Sequence, residues 1–367
     1  MPSDRGIRCG GFPRALVLSL LFLGVGQVCV AQEPEEWARY APVLDSLMQA
    51  NEVPGISFAF FNSTGVLWEY VSGVKNAATG ELIRPETAFE AASISKPVFS
   101  VLLQEMSRDG LIDLGRPLAD VVDPVPGLGH DRRAALLTPV MLLSHQSGLP
   151  NWRTRINLNA TTFDELFGPE DTLRFVTDPG GEYRYSGEGF VLLQRAVESM
   201  TSRSLESLAR AMVFDPLGMA RTGFSFDGRA ETDYAFGHTR DGSPDKWGLR
   251  APLSSSTLHT TGGDLGRFGA RLATGISEGG DLESLVEPHI VVSTSERQTL
   301  SWGLGLGVVD TPTGRYVYHG GNNVIFIADL IYGVEEDLGY VLLTNSANGP
   351  GMVTALEERV YGRRLGR

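Results

Sequence analysis

Ser93 and Lys96 lie three residues apart within Phe89-Glu-Ala-Ala-Ser-Ile-Ser-Lys-Pro97. On a helix that spacing puts both side chains on one face, about 5–6 Å apart at Cβ. A lysine that close can take the serine proton if the lysine itself is neutral, which makes Ser93 a candidate nucleophile and Lys96 its base. Val98 to Met106 is apolar on more than one side, so the pattern predicts a buried helix with Ser93 at its N-terminal end. Free N–H groups and the positive dipole end would stabilise an oxyanion there. The bare spacing is not selective. The chain has three lysines, Lys75, Lys96 and Lys246, and each has a serine three residues earlier. Ser72 and Lys75 lead into a turn, and Ser243 and Lys246 lie between glycines with no helical pattern; only Ser93 opens an apolar helix.

Two further stretches carry polar chemistry. Tyr185-Ser-Gly187 follows the loop Pro179-Gly-Gly-Glu-Tyr-Arg184 and precedes a helical pattern at Phe190, a position from which a tyrosine can face a nucleophile across a cleft. Tyr185 is the second candidate base, expected to titrate as a coupled pair with Lys96, whose charge would favour the phenolate. His319-Gly-Gly321 ends a short strand, and its glycines would let a substrate lie against the strand edge. Other polar residues read as structural: His145 at a turn, His259 and Asp264 as helix caps, Trp152 and Trp247 as core or rim. There is no Gly-x-Ser-x-Gly elbow, His-Glu-x-x-His pair or Gly-rich phosphate loop, which argues against an α/β-hydrolase, a zincin and a nucleotide enzyme. No cofactor or metal is expected.

The elements that must hold these residues follow from periodicity. Trp37, Tyr40, Leu44, Leu47 and Met48 predict an amphipathic helix over 35–51. Ile56–Phe61 and Val66–Val71 read as a hairpin. From about 109 to 295 helix and loop signals dominate, with a helix start at Pro139, helices over 190–200 and 205–214, and a capped helix over 265–273. Strands return at 302–309, 315–319, 323–332 and 340–344, the third apolar on both faces and therefore covered on both. A closing helix spans 350–361. The expected fold is α+β: an antiparallel sheet flanked by helices, built from about 32–108 and 296–367, with a mainly helical insertion at about 109–295.

Residues 1–31 have the layout of a secretory signal peptide: Arg5, Arg8 and Arg14, an apolar run from Ala15 to Val28, and small residues before a cut at Gln32. The run is too short to span a bilayer, so export to the periplasm or outside the cell is expected, with no stable membrane span afterwards. A lipid site at Cys29 fits poorly because Val28 is bulky. Cleavage would remove both cysteines, Cys9 and Cys29, and with Arg5, Arg8, Arg14 and Asp4 gone would take the net charge from −13 to −15. That charge, without a basic patch, argues against nucleic-acid binding. Oligomeric state is not legible.

Taken together, Ser93-x-x-Lys96, Tyr185-Ser-Gly187 and His319-Gly-Gly321 resemble the motifs of the serine β-lactamase and penicillin-binding protein superfamily, nearest the class C β-lactamase, D-alanyl-D-alanine carboxypeptidase and esterase branch. Leu142-Leu-Ser-His-Gln-Ser-Gly-Leu-Pro150, Asp215-Pro-Leu-Gly-Met219, Leu258-His-Thr-Thr261 and Leu343-Thr-Asn345 extend the resemblance over nearly all of the expected mature chain. It implies that Ser93 is acylated, that Lys96 takes its proton, that Tyr185 carries a proton to the leaving group, and that the backbone N–H groups of Ser93 and Asn322 form the oxyanion hole. Two departures stand out. Gly187 replaces an Asn that would hold the acyl side chain, and His319 replaces a Lys that would attract a carboxylate. Both favour a small ester or amide, as for an esterase or D-amino-acid peptidase, over a β-lactam. The alternatives are a β-lactamase and a catalytically idle protein that binds cell-wall fragments or a partner.

Overall fold

The structure is a computed structural model describing residues 35–122, 125–128, 131–153, 165, 173–225, 233–245 and 251–367. The expected signal peptide, Lys246 and Trp247 lie outside the described residues. Thirteen strands are named in chain order: β1 (Gly55–Asn62), β2 (Gly65–Asn76), β3 (Glu81–Leu82), β4 (Phe89–Ala92), β5 (Gly237–His238), β6 (Pro244–Asp245), β7 (Leu258–Thr260), β8 (Ile290–Thr294), β9 (Thr299–Trp302), β10 (Gly307–Thr311), β11 (Gly314–Asn322), β12 (Ile327–Gly333) and β13 (Leu338–Thr344). The α-helices are α1 (Glu35–Ala38), α2 (Ala41–Ala50), α3 (Ser95–Arg108), α4 (Pro139–Leu143), α5 (Gly187–Thr201), α6 (Leu205–Ala209), α7 (Gly262–Gly275) and α8 (Gly349–Tyr361).

Among the described residues one antiparallel sheet runs β3-β2-β1-β13-β12-β11-β10-β9-β8. Both faces are covered. On β1 and β13, Ile56, Phe58, Phe60, Tyr340 and Leu342 pack toward the terminal helices, while Ala59, Phe61, Val341 and Leu343 pack toward the helical region. This is why these strands read as continuous apolar runs instead of alternating ones. The sheet takes in β8, so it resumes at Ile290 and not at 296.

Three other expectations change at the ends of elements. The helix expected over 35–51 is two, α1 and α2, because Pro42 lacks the N–H that would continue the first and instead sits in the first turn of the second. The strand expected from Asn323 begins at Ile327; Asn322 Oδ1 accepts from Val324 N at 2.8 Å and Ile325 N donates to Asn323 O at 2.8 Å, closing a tight turn first. The cap of α7 is Thr261, whose side chain accepts from Asp264 N at 3.1 Å. Asp264 and His259 are not the caps: the Asp264 carboxylate accepts from Arg221 N and Thr222 Oγ1, and His259 lies in β7, paired with β4.

α7 belongs to the sheet as much as to the helical region. Its glycines form a stripe against β1: a Cβ on Gly262 would stand 2.7 Å from Phe58 N, one on Gly266 3.0 Å from Ala59 Cβ, and one on Gly269 2.6 Å from the Phe61 ring. Gly262 N also donates to Ser57 Oγ at 2.8 Å. The small side chains let the helix axis close on the strand, which fixes β7 beside β4. Gly262→Ala gains helix propensity of up to ~1 kcal/mol but forces backbone apart. We expect a net loss of about 1–3 kcal/mol, read as a lower urea midpoint at unchanged m-value; an unchanged or higher midpoint would show that the helix can shift freely.

Candidate active site

Ser93 occupies the turn between β4 and α3. Ala92 before it has φ of 49°, left-handed backbone that a side-chain-bearing residue holds only at a cost of order 1–3 kcal/mol. Ser95 stabilises this turn: its Oγ donates to Ala92 O at 2.6 Å and accepts from Leu258 N at 2.9 Å, tying the nucleophile turn to β7. One residue further, Lys96 points back beneath Ser93. Its Nζ lies 3.1 Å from Ser93 Oγ and donates to Ser255 O at 2.7 Å. Lys96 is 1% exposed, and among the described residues no carboxylate pairs with it. Burial alone pulls its pKa down to about 7. The Ser72-x-x-Lys75 pair does not come together this way: Lys75 on β2 pairs with Glu81 and Asp233, and Ser72 donates to Asp45. Lys246 of the third pair lies outside the described residues.

Tyr185 is placed by non-local bonds on both sides. Arg184 N donates to His145 O, Ser186 N donates to His145 Nδ1 at 3.0 Å, and Ser186 caps α5 while donating to Pro150 O. The Tyr185 ring lies over Lys96 Nζ, 4.8 Å from the ring centroid, and its hydroxyl lies close enough to Ser93 for that side chain to lower its pKa. Burial raises its pKa well above the usual value, more than the Ser93 contact lowers it. The expectation that Lys96 favours a phenolate is therefore corrected: Tyr185 holds its proton, and Lys96 is the group poised to accept one near neutral pH. His145 supports the tyrosine from below, with ring centroids 4.3 Å apart. Because its Nδ1 accepts from Ser186, its Nε2 carries the proton, and burial keeps it neutral.

The far wall is β11. Pairing with β10 stops at Tyr318–Gly307, so His319 to Asn322 bonds to β12 on one side, and among the described residues no strand pairs with its other edge. Gly321 is required by proximity: a Cβ there would stand 2.3 Å from Ala91 O, two residues ahead of the nucleophile. At Gly320 the same position meets nothing within 4 Å. Asn322 ends the strand and holds the following turn. His319 is buried, its Nδ1 2.8 Å from Gly320 O, an acceptor only, so Nδ1 carries the proton. Burial first and the Lys96 charge second push its pKa down to about 3, which leaves it neutral across physiological pH. Trp302, which sequence reading did not single out, fills the space between these rings, 5.2 Å from His145, 5.9 Å from Tyr185 and 5.6 Å from His319.

The rim at Gly187 is occupied by a neighbour. A Cβ there would meet Asn151 O at 3.0 Å and the Trp152 ring at 3.1 Å, and Asn151 Oδ1 accepts from Gly187 N at 2.9 Å. Glu188, fully buried, holds the Asn151–Arg153 segment in place by accepting from Arg153 N, Nε and Nη2. Asn151 and Trp152 thus stand where a longer residue 187 would. Among the described residues no group of three acidic, histidine or cysteine side chains is arranged to hold a metal, and no helix is long and apolar enough to cross a membrane.

Penicillin-binding protein 4 of Amycolatopsis lactamdurans is 28% identical over 195 residues, 51% of this chain and 49% of that protein. Esterase EstB of Burkholderia gladioli is 25% identical over 236 residues, 59% of each. The chain thus matches about half to three fifths of the length of these relatives. A class C beta-lactamase superposes with a TM-score of 0.73 at 17% identity, covering 90% of this chain and 96% of the other, which shows a shared fold. The family description Beta-lactamase matches residues 41–361, from the start of α2 to the end of α8, and the chain belongs to that family.

Proposed function

We propose that this chain is an exported serine hydrolase that works through an acyl-enzyme on a small ester or amide, as an esterase or a peptidase of D-amino-acid substrates. The observation that carries the reading is a buried Lys96 amine 3.1 Å from Ser93 Oγ with its pKa pulled down to about 7. Neutral Lys96 accepts the Ser93 hydroxyl proton as Oγ bonds to the substrate carbonyl carbon. The N–H groups of Ser93 and Asn322 hold the oxyanion. Tyr185 passes a proton to the leaving group as the carbon–leaving-group bond breaks, using the proton gained by Lys96. Water then attacks the acyl carbonyl and frees Ser93. A neutral His319 offers no charge to a substrate carboxylate, and Gly187 offers no side chain to an acyl substituent. Both features support short neutral acyl groups over β-lactams. Export rests on the composition of residues 1–31.

Ser93→Ala is expected to abolish ester hydrolysis, a loss on the order of 10⁶ in kcat, and to end labelling by a fluorophosphonate. Retention of a tenth of the activity would rule Ser93 out. In the wild type, kcat/KM for a short acyl ester exceeds that for a chromogenic cephalosporin. A cephalosporin value tenfold higher, about 1.4 kcal/mol in the barrier, would make β-lactam hydrolysis the main activity. A wild-type chain that neither labels nor turns over would favour an idle binding protein.

The pH profile follows from Lys96. Below its folded pKa it holds a proton and cannot accept that of Ser93, so kcat/KM rises about tenfold per pH unit up to about pH 7 and levels above it. Burial also pushes Glu90 up to about 7, so the limb is assigned by variants: it persists in Glu90→Gln and is lost with activity in Lys96→Arg, which cannot deprotonate. A limb near pH 10 would contradict a desolvated Lys96.

A further inference from the structure

The two backbone donors of the oxyanion hole sit on separate elements, the β4–α3 turn and the end of β11. Besides the close approach of Gly321 to Ala91, a buried side-chain hydrogen bond joins them. Glu90, three residues before Ser93 and 3% exposed, accepts from Asn323 Nδ2 at 2.7 Å through one carboxylate oxygen and from Tyr234 hydroxyl at 2.7 Å through the other. Asn323 Nδ2 also lies 3.2 Å from Ser256 O, next to the carbonyl that holds Lys96.

The segment held this way is strained. Val324 is β-branched, 65% exposed, and has φ of 67°. With Ile325 N bonded to Asn323 O, it forms the centre of a γ-turn of the rare positive-φ kind. A valine pays of order 1–3 kcal/mol for that backbone and persists in it only where neighbours over-determine the geometry. Those neighbours are the Asn322 side chain, which accepts from Val324 N, buried Ile325 and Phe326, and the Glu90 carboxylate.

We propose that Glu90 and Asn323 are positioning residues that lock the Asn322 N–H at the distance from the Ser93 N–H that the tetrahedral oxyanion requires. The inference rests on the acyl-enzyme reading above and adds residues that touch neither substrate nor Ser93. An oxyanion donor contributes only when aimed at the tetrahedral oxygen, so loosening its carrier strand raises the barrier without weakening ground-state binding. Val324 supplies no side-chain contact to the site; its strained turn aims the N–H two residues earlier.

The test uses Glu90→Ala, Glu90→Gln, Asn323→Ala and the double variant Glu90→Ala/Asn323→Ala. Each kcat is normalised to the fraction of chains that a fluorophosphonate labels at Ser93, so loss of folded protein does not enter. Glu90→Ala and Asn323→Ala are each expected to lower kcat by ~10- to 100-fold, below the 10²–10³ for deleting a donor outright, with KM within about threefold. The double variant is no worse than the poorer single, because one contact is lost in every case. Glu90→Gln keeps an acceptor for Asn323 and restores most of kcat. Affinity for a boronic acid, whose serine adduct places an oxygen in the oxyanion hole, falls in step with kcat. The clamp is overturned if either single alanine variant keeps kcat within twofold, if the double loses the product of the singles, or if boronate affinity holds while kcat falls. Should Glu90→Ala not fold, Asn323→Ala is judged by the same kcat and boronate criteria. A wild type that is not labelled at Ser93 overturns the acyl-enzyme reading and the clamp with it; a labelled wild type with unaffected variants overturns the clamp alone.

Discussion

Removal of the Lys96 amine from water is the constraint on which the site depends. An ammonium buried without a counter-ion is expensive, and the group relieves that cost by giving up its proton. The surroundings enforce the choice. Nζ sees the Ser255 carbonyl, the Ser93 hydroxyl and the faces of Tyr185 and Phe190. Glu90 is the carboxylate nearest in sequence, and it is engaged by Asn323 and Tyr234. A carboxylate within reach of Lys96 would restore the ammonium and remove the base. The same low polarity keeps His145 and His319 neutral and Tyr185 protonated, so Lys96 is set apart by the pH at which its proton leaves.

Proximity is the second requirement, and small residues supply it. Gly321 lets β11 close on Ala91, Gly187 admits Asn151 and Trp152, and the glycine stripe of α7 draws that helix onto β1. Where no glycine stands, the backbone is strained instead, at Ala92 before the nucleophile and at Val324 after the oxyanion strand. Ala92 and Val324 flank the site, and His145 against Tyr185 also has positive φ, at 59°; there surrounding packing maintains geometry that local preference resists.

Local features of the site were legible in the sequence, and long-range ones were not. Three residues on a helical turn must bring Ser93 and Lys96 together, and the apolar run after them marks burial. The hairpin of β1 and β2 and the start of α4 at Pro139 follow equally from local chemistry. Tyr185 could be placed only by its loop and by resemblance, since His145 and Pro150 hold it from elsewhere in the chain. The Glu90–Asn323 bond crosses 233 residues and leaves no local trace. Trp302 reads as an ordinary strand residue until the rings around it are seen. The misjudged ends of α1, α2 and β12 have local causes, in Pro42 and in the side-chain bond from Asn322, that apolar periodicity outweighed.

A direct titration of the lysines tests the central claim without reference to turnover. The sequence holds three lysines, so a chain labelled with carbon-13 at lysine Cε gives few signals. The account predicts one that titrates near pH 7 and disappears in Lys96→Arg. If every lysine signal instead titrated at about pH 10, the value of an ordinary solvated amine, Lys96 would be a charged structural residue and could not take the proton of Ser93.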